Sequence, residues 1–486
     1  MHYCVRRGTT MSHFFSSDIG ILAGNGTSPS IWNFFGSDFR PHPHPDDVYF
    51  GDRPILNVEH ADDGALWSMS AHGIQSHCNE YGMWASSKGL LINFGKTKAL
   101  FFGTHPRVLP TIMLQGRTLE WTDDAKYLGI LFRTMAVDIF KEHSLEVAKK
   151  ALRICNVTLA MGRFLGDIHP RAGLAIYSAR ADSLLTYGSQ VVVITADRTL
   201  RQLERVQITF FRRLLHVHRR SMIAALHSET GFTPVRYQRM ILVMRYLQCL
   251  LSERTTTTRL APLGVDACQD LWSAGKKCWL TDIAHALRSL YHPINVCLDD
   301  LCDPRHVVTL VSEVDALWKT EVVDEITGSP MTSLLAAPLW ECNGAPAAFC
   351  SYLNVRIPAH RIALTRALTA SHQLAIEHGK WHGIDKEWRL CRMCSNDVED
   401  VPHVLFLCPF PPADSIRGPF LSSVWGCYPS WKVTVRSPTH LLLLLAGTDD
   451  LVDTTAHFVH ELFTLWESVP LLLNHQSTAE AVREYS

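Results

Sequence analysis

Short apolar runs broken by glycine and proline fill the first 137 residues, a pattern typical of short β-strands. Strand signals occur at residues 48–50, 55–58, 90–94, 99–102, 112–114, 119–121 and 127–132. Among them, residues 65–88 carry apolar side chains at helical spacing, and Gly89 follows where a helix C-cap is expected. Strands that bracket one helix predict an α+β layer, with an antiparallel sheet covered on one face.

From about residue 138 the pattern changes to amphipathic helices. Helical periodicity is strongest at 139–164, 171–186, 200–217 and 235–252. The polar run 253–259 predicts a linker, and residues 260–385 continue mostly helical with weaker boundaries. No segment recurs at a fixed period, which argues against a repeat solenoid.

Composition describes an ordinary folded protein. The 486 residues are 47% hydrophobic and 19% charged, which excludes a disordered chain and allows about three domains. The net charge is -1, so no global field attracts nucleic acid, and any such contact must come from local basic patches.

Cysteine usage and the apolar runs indicate the compartment. Fourteen cysteines scattered over this length are typical of reduced thiols, and the N-terminus lacks the apolar run of a signal peptide. The leucine run at 440–446 is too short to span a bilayer and predicts a buried helix. We expect an intracellular protein, nuclear or cytoplasmic, without a membrane segment.

The stretch 58–67 contains two adjacent carboxylates, Asp62 and Asp63, followed by Gly64. Adjacent aspartates at a tight turn can present carboxylates to a pair of divalent metals, as two-metal phosphoryl transfer requires. Asp-Gly between apolar runs is also an ordinary hairpin signal. Taken alone, the stretch favours the hairpin over catalysis.

A second group of residues has the chemistry of a metal site. Cys391, Cys394, His403 and Cys408 follow the spacing C-x2-C-x8-H-x4-C and supply three thiolates and one imidazole. Four such ligands suit tetrahedral Zn²⁺ in a closed, structural site, which in zinc knuckles also contacts nucleic acid. The alternative is a set of core cysteines beside a satisfied histidine. The spacing favours zinc.

Two basic features have weaker specificity. The first is a set of arginines with interleaved histidines, several of which would share one helical face: Arg201, Arg205, Arg212, Arg213, Arg219 and Arg220, with His216 and His218. Such a face could hold phosphates, although a solvated helix surface is the commoner explanation. The second is Lys98, in a basic turn between two strands, which could neutralise a phosphate or protonate pyrophosphate.

Taken in order, these segments resemble the reverse transcriptase of non-LTR (LINE-like) retrotransposons, especially the fungal type. His60-Ala61-Asp62-Asp63 resembles the family's Ala-Asp-Asp polymerase box, with His60 in place of the usual aromatic residue. Residues 20–30 are similar to its glycine turn, 93–98 to its Lys-Thr-Lys strand, and Tyr127-Leu128-Gly129 to its primer-gripping hairpin. Residues 179–188 and 211–215 resemble its helical thumb, and the cysteine/histidine set its C-terminal motif. The resemblance covers roughly residues 1–260 and 340–412.

The resemblance implies an RNA-directed DNA polymerase that works by two-metal nucleotidyl transfer on an RNA template and a DNA primer. Asp62 and Asp63 would hold Mg²⁺, with Lys98 as a candidate acid or phosphate contact. The implied nucleotide and primer contacts are Gly24, Ser28, Tyr127, Leu128 and Gly129. Arg205, Arg212, Arg213, Arg219 and Arg220 would contact nucleic acid, and Zn²⁺ would be structural.

The sequence departs from the family in one way that affects catalysis. Such polymerases take a third metal-binding aspartate from a strand upstream of the glycine turn, and the short stretch before Gly20 offers only Asp18, within the turn itself. We therefore expect an N-terminally truncated chain, inactive alone, because losing one catalytic carboxylate commonly costs about three orders of magnitude in rate. The alternative is a non-enzymatic nucleic-acid-binding or scaffold protein that uses the thumb arginines and a zinc knuckle.

The predicted organisation follows the chain. The expected domains are a partial palm at 1–137, a helical thumb-like domain at 138–260, a helical connector at 261–385, a zinc-binding motif at 386–412 and a helical tail at 413–486.

Overall fold

A computed structural model of the chain describes residues 2–16, 26–104, 106–134, 138–252, 260–329, 333–336 and 348–471. It is a mixed α/β structure that is mostly helical, in agreement with the predicted class. The chain divides into two compact units. Unit 1 comprises Met1–Glu142 and Arg259–Asp270, and unit 2 comprises His143–Thr258 and Leu271–Ser486. Within the described residues, no helix combines the length and the apolar content needed to cross a membrane.

Unit 1 contains all the strands of the described chain. They are β1 (His2–Tyr3), β2 (Arg6–Arg7), β3 (Thr10–Met11), β4 (Phe15–Ser16), β5 (Val48–Phe50), β6 (Arg53–Ile55), β7 (Asn57–His60), β8 (Asp63–Leu66), β9 (Lys98–Ala99), β10 (Met113–Leu114), β11 (Arg117–Thr118), β12 (Glu120–Trp121), β13 (Asp124–Tyr127) and β14 (Ile130–Arg133). Its helices are α1 (Ser28–Gly36) and α2 (Ala71–Ser87).

These strands pair two by two in the described chain, so the continuous antiparallel sheet expected from the sequence is not formed there. Six ladders are antiparallel, and β12 pairs with β9 in parallel. The helix α2 packs over a small core made by Cys78, Ile112, Leu114 and Leu119. Strands of two to four residues carry too little alternating pattern to specify neighbours beyond one hairpin partner.

Three predicted elements of unit 1 differ from the structure. The strand expected at 90–94 is irregular and leads into a turn at 94–96, because the Asn93 carbonyl and side chain accept hydrogen bonds from the following backbone amides. The strand expected at 127–132 is a hairpin, with Leu128 and Gly129 at positive φ (48° and 80°). The helix expected from residue 65 begins at Ala71, where the Ser70 hydroxyl caps it by accepting from the Gly73 amide.

Unit 2 is helical. Two of its helices are shared with unit 1, which holds residues 141–142 of α3 and most of α9, residues 260–270. Its α-helices are α3 (Lys141–Leu165), α4 (Pro170–Tyr177), α5 (Ser183–Thr186), α6 (Asp197–Leu214), α7 (Ile223–Thr230), α8 (Val235–Leu251), α9 (Leu260–Ser273), α10 (Trp279–Arg288), α11 (Leu298–Cys302), α12 (Pro304–Thr327), α13 (Ser333–Ala336), α14 (Pro358–Leu368), α15 (Ala375–Trp381), α16 (Pro411–Cys427), α17 (Trp431–Thr434), α18 (Pro438–Gly447) and α19 (Asp449–Glu467). Short 3₁₀ turns lie at Ser351–Asn354 and Lys386–Trp388, and π turns at Ser178–Asp182 and His403–Leu407.

Packing in unit 2 centres on two groups of helices. The long helix α12 lies against α8 and α7, and α14 lies against α19. The buried ring of Tyr177 stacks on Phe210 at a centroid distance of 5.0 Å, which fixes α4 on α6. The leucine run at 440–446 is part of α18 and is largely buried, as predicted.

Candidate metal centre and nucleic-acid interface

The first two cysteines of the C-x2-C group lie in a tight turn. The Ser395 amide donates to the Cys391 carbonyl (2.8 Å), and the Cys391 amide donates to the Asp397 carbonyl (2.8 Å). Ser395 adopts a positive φ of 57°, which turns the chain back at this point. The x2 spacing therefore folds into a knuckle that points both thiols to the same side.

The second pair of ligands depends on a π turn. His403 and Cys408 are five residues apart, and five residues of α-helix would rotate their side chains by about 140° relative to each other. Residues His403–Leu407 instead form a π turn, in which the Cys408 amide donates to the His403 carbonyl (2.8 Å). The wider turn brings Cys408 back beside His403. The Asp400 carboxylate fixes its start by accepting from the His403 amide (2.8 Å).

The four ligand atoms lie within 4.8 Å of one another. Cys391 Sγ and Cys408 Sγ are 3.8 Å apart, and Cys394 Sγ and His403 Nε2 are 3.4 Å apart. Tetrahedral zinc with ordinary bond lengths places two sulfurs about 3.8 Å apart and sulfur and nitrogen about 3.6 Å apart. The donor set and its spacing therefore fit a closed Zn²⁺ site. It is the single group of three or more potential metal ligands in the described residues.

Burial affects the charge state of these thiols. Burial raises the pKa of Cys408 to about 12, although the Phe410 amide favours the thiolate. Burial also raises the pKa of Cys391 above its ordinary value, against the opposing effect of the Cys394 and Met393 amides. Thiolates here need a nearby positive charge, which a divalent cation supplies on binding.

Two buried arginines hold the ligand-bearing segments, and the sequence analysis missed both. Arg417 donates to the carbonyls of Leu405 (2.8 Å) and Cys408 (3.1 Å), which fixes the π turn from α16. Arg392, between the two knuckle cysteines, forms a buried ion pair with Glu399 (2.7 Å). An arginine inside C-x2-C was visible in the sequence, but its partner was not.

The Asp62–Asp63 stretch forms the predicted hairpin. Strands β7 and β8 pair with His60 opposite Asp63, and Ala61 takes a positive φ of 53° in the two-residue turn. Both carboxylates are exposed. No other His, Cys, Asp or Glu in the described residues completes a three-ligand group with them.

The Tyr127 hairpin lies beside this turn. The Tyr127 hydroxyl donates to the Val58 carbonyl (3.4 Å) on β7. Burial raises the pKa of Tyr127, and the nearby carboxylates of Asp63 and Glu59 raise it further. The structure thus brings the predicted primer-contact residue Tyr127, with Leu128 and Gly129 in its turn, next to the aspartate hairpin.

Of the other predicted site residues, Lys98 and Ser28 belong to elements other than the aspartate hairpin. Lys98 lies on β9 and forms an ion pair with Glu120 across the parallel β9–β12 ladder. Ser28 is the first residue of α1 and follows the N-cap residue Thr27. Gly24 lies outside the described residues.

The five predicted nucleic-acid arginines divide by environment. Arg212 is half-buried and donates to the Ser221 carbonyl (2.6 Å), and burial lowers its pKa. Arg213 is exposed and donates to Asn156 Oδ1 (2.5 Å). Arg205, Arg219 and Arg220 are exposed.

A buried carboxyl lies in the π turn at Ser178–Asp182. Asp182 accepts from Gln238 Nε2 (2.6 Å), and burial raises its pKa to about 6. The sequence analysis included Asp182 in the thumb-like segment 179–188 but gave it no role.

No protein-family model matches the chain. The chain is similar to the RNA-directed DNA polymerase from mobile element jockey of Drosophila melanogaster, with 26% identity over 207 residues. The match covers 40% of this chain and 22% of the Drosophila protein, so the chain corresponds to less than a quarter of that relative. At the family level, this distant similarity supports the resemblance to a LINE-like, retrotransposon RNA-directed DNA polymerase.

Proposed function

We propose that this chain is part of a non-LTR retrotransposon reverse transcriptase and acts with an RNA template and a DNA primer inside the cell. The observation that carries the proposal is the hydrogen bond from the Tyr127 hydroxyl to the Val58 carbonyl (3.4 Å), on the strand that leads into Asp62-Asp63. These are the two segments that resemble the polymerase's catalytic box and primer support. The similarity to the jockey polymerase agrees with this assignment.

In this function, Asp62 and Asp63 hold the catalytic Mg²⁺. Their carboxylates are exposed at a turn and form no ion pair in the described residues, so both are open to a cation. Magnesium, when bound, favours deprotonation of the primer 3′-hydroxyl and neutralises the leaving pyrophosphate. Tyr127 would support the primer end, and its hydroxyl contact with Val58 on β7, the strand that leads into this turn, supports that role.

The aspartate pair offers two ligand residues, and two-metal sites need at least one more carboxylate to bridge or hold the ions. The described residues supply none at this place. We propose that the chain alone polymerises at a rate at least about three orders of magnitude below that of a complete site. The missing ligand would come from another segment or another chain.

Primer extension tests the catalytic part of the proposal. The purified full chain is incubated with an RNA template, a labelled DNA primer and Mg²⁺, beside Asp62→Ala and the control Asp52→Ala. Asp52 is also exposed and lies in the turn of the β5–β6 hairpin. We expect no extension above the Asp62→Ala background. Template-dependent extension lost in Asp62→Ala would overturn the incomplete site, and extension that Asp62→Ala leaves unchanged would overturn the role of the pair.

Metal binding at the turn is tested separately. Mn²⁺ broadens NMR signals of residues near its binding site, and we expect broadening around residues 60–64. The double variant Asp62→Ala/Asp63→Ala should lose it, while Asp52→Ala should keep it. Broadening that persists in the double variant would show that the aspartates are only turn residues.

A second function, non-enzymatic nucleic-acid binding or scaffolding, is favoured by one contrast. The aspartate pair is an incomplete metal site, whereas the Cys/His group is complete. In this case salt-dependent RNA binding survives Asp62→Ala but falls on chelation or in Cys391→Ser. Cys427→Ser is the matched control, because Cys427 is an exposed cysteine outside the group.

A further inference from the structure

We infer that the basic loop, residues 215–222 between α6 and α7, is a preorganised binding surface for the phosphate backbone of nucleic acid, with Arg219 and Arg220 as its contacts and Trp381 as its support. The inference takes nucleic acid as the partner from the proposed function, and it requires no polymerase activity. It selects two of the five arginines that the sequence pointed to.

The basic loop is fixed from inside unit 2. Arg212 donates from Nη2 to the Ser221 carbonyl (2.6 Å), at the end of the loop. Arg366 on α14 donates from Nε to the His216 carbonyl (2.9 Å), at its beginning. Two arginines are thus used as internal braces, which leaves Arg219 and Arg220 between them at the surface.

Trp381, at the end of α15, supports the outer part of the loop. Its ring stacks on His218 at a centroid distance of 4.4 Å with the planes 21° apart. The Arg220 guanidinium lies 5.7 Å from the same ring, and His378 lies 4.7 Å away. His218 Nδ1 also accepts from the Arg220 amide (3.2 Å), so the neutral imidazole sets the backbone at Arg220.

The charges around the loop leave it positive. Arg219 and Arg220 are exposed, and within the described part of the chain neither forms an ion pair. The carboxylate that faces the loop, Asp167, is bound by both His216 and Arg361. Burial lowers the pKa of His218, and the three nearby arginines lower it further, as expected in a positive field.

A positive, fixed surface whose neighbouring carboxylate, Asp167, is already paired suits an anion with repeated charges. Each of the two adjacent arginines can pair with a backbone phosphate, and because their backbone is already fixed, binding orders only the side chains. A solvated arginine pair needs no such bracing. Contacts to phosphates carry no sequence information directly, so we expect binding with little dependence on sequence.

Binding by the full chain tests this inference. Fluorescence anisotropy is measured with labelled single-stranded RNA, single-stranded DNA and an RNA·DNA hybrid over a series of salt concentrations. Arg219→Gln/Arg220→Gln should lower affinity at least about tenfold. The slope of log K against log salt should fall by about 1.4 for single strands and about 1.8 for a duplex, since each phosphate contact contributes about 0.7 or 0.9.

The matched control is Arg198→Gln/Arg288→Gln. It removes the same charge from two exposed arginines, one in the first turn of α6 and one at the end of α10, both outside the basic set named from the sequence. The control should keep both affinity and slope. Equal losses in the two variants would show that net charge alone attracts nucleic acid, and no loss in either would exclude the loop.

Trp381 is tested as a positioning residue. Trp381→Ala should reduce both affinity and salt slope, because Arg220 loses its fixed place, and Trp381→Phe should restore most of both. Affinity that falls in Trp381→Ala with an unchanged slope would show a structural role only. Circular dichroism and zinc content monitor folding. Primer extension is measured on the same proteins. It separates failure of this inference from failure of the polymerase proposal, because the loop can bind nucleic acid without polymerase activity.

Discussion

Loss of the charge on Glu399 should destabilise the metal-binding segment strongly. Glu399 is fully buried and Arg392 nearly so, with side-chain exposures of 0% and 7%. The carboxylate also accepts from the backbone amides of Ala375 (2.9 Å) and Arg392 (2.8 Å). In Glu399→Gln the guanidinium keeps its buried charge but loses its counter-charge.

The magnitude follows from the geometry. With the Arg392–Glu399 bond at 2.7 Å, the two charge centres lie about 4 Å apart, and an effective dielectric constant of 20 gives about 4 kcal/mol of attraction. Removal of one partner of a buried pair typically costs about 3–5 kcal/mol. We therefore expect the free energy of unfolding to fall by about 3–5 kcal/mol in Glu399→Gln.

Urea unfolding provides the measurement. The slope m, the dependence of the unfolding free energy on urea concentration, must be the same in wild type and variant, so that a shift of the midpoint reports a change in stability. Hydrogen exchange of the 389–399 amides should accelerate as well, because these amides lie in the knuckle that the pair anchors. The control is Glu461→Gln on α19, whose side chain is 49% exposed, and it should change stability by less than about 0.5 kcal/mol. If Glu399→Gln changed stability as little as the control Glu461→Gln, the assignment of the pair as a structural anchor would be refuted.

Two further predictions concern the metal and the pH dependence. The purified chain should contain about one zinc per molecule, measured by atomic emission, with loss in Cys391→Ser and retention in Cys427→Ser; zinc retained in Cys391→Ser would contradict the site. Burial raises the pKa of Asp182 from 3.8 to about 6, so ionisation of this carboxyl opposes folding. The stabilisation is fully present below pH 4, where the carboxyl is protonated, and about 3 kcal/mol of the free energy of unfolding is lost as pH rises from 4 to 6. Asp182→Asn should remove this part of the pH dependence in urea titrations at pH 4 to 7, and an unchanged difference between wild type and variant across that range would contradict the buried carboxyl.

Local chemistry was predictable from the sequence where a few nearby residues determine it. The hairpin at Asp62-Asp63 and the C-cap at Gly89 follow from turn and helix rules, and the structure confirms both. The approach of Cys391 to Cys408 was predictable because metal chemistry restricts which residue types and spacings occur together. In each case the information lies within a short segment.

Contacts between distant segments were not predictable. Neither periodicity nor spacing indicates that His218 stacks on Trp381, since each residue alone is an ordinary helix-end side chain. The strand expected at 90–94 was wrong because local hydrogen bonds that Asn93 accepts from the following amides prevailed over an apolar pattern. Alternation shows which residues prefer strands but not which strands pair, so the two-stranded ladders could not be derived from it.

The π turn at His403–Leu407 makes chain length part of the metal-binding code. An α-helical turn would place ligands on one face with three residues between them, and the π turn does so with four. Deletion of one or two residues between His403 and Cys408 could therefore be absorbed by a change to α-helix, because residues four or three apart share a helix face, whereas deletion of three would place the ligands on opposite faces. The x4 spacing thus records the type of helix as well as the identity of the ligands, and a one-residue insertion into an ordinary helix is a simple route by which such a turn arises.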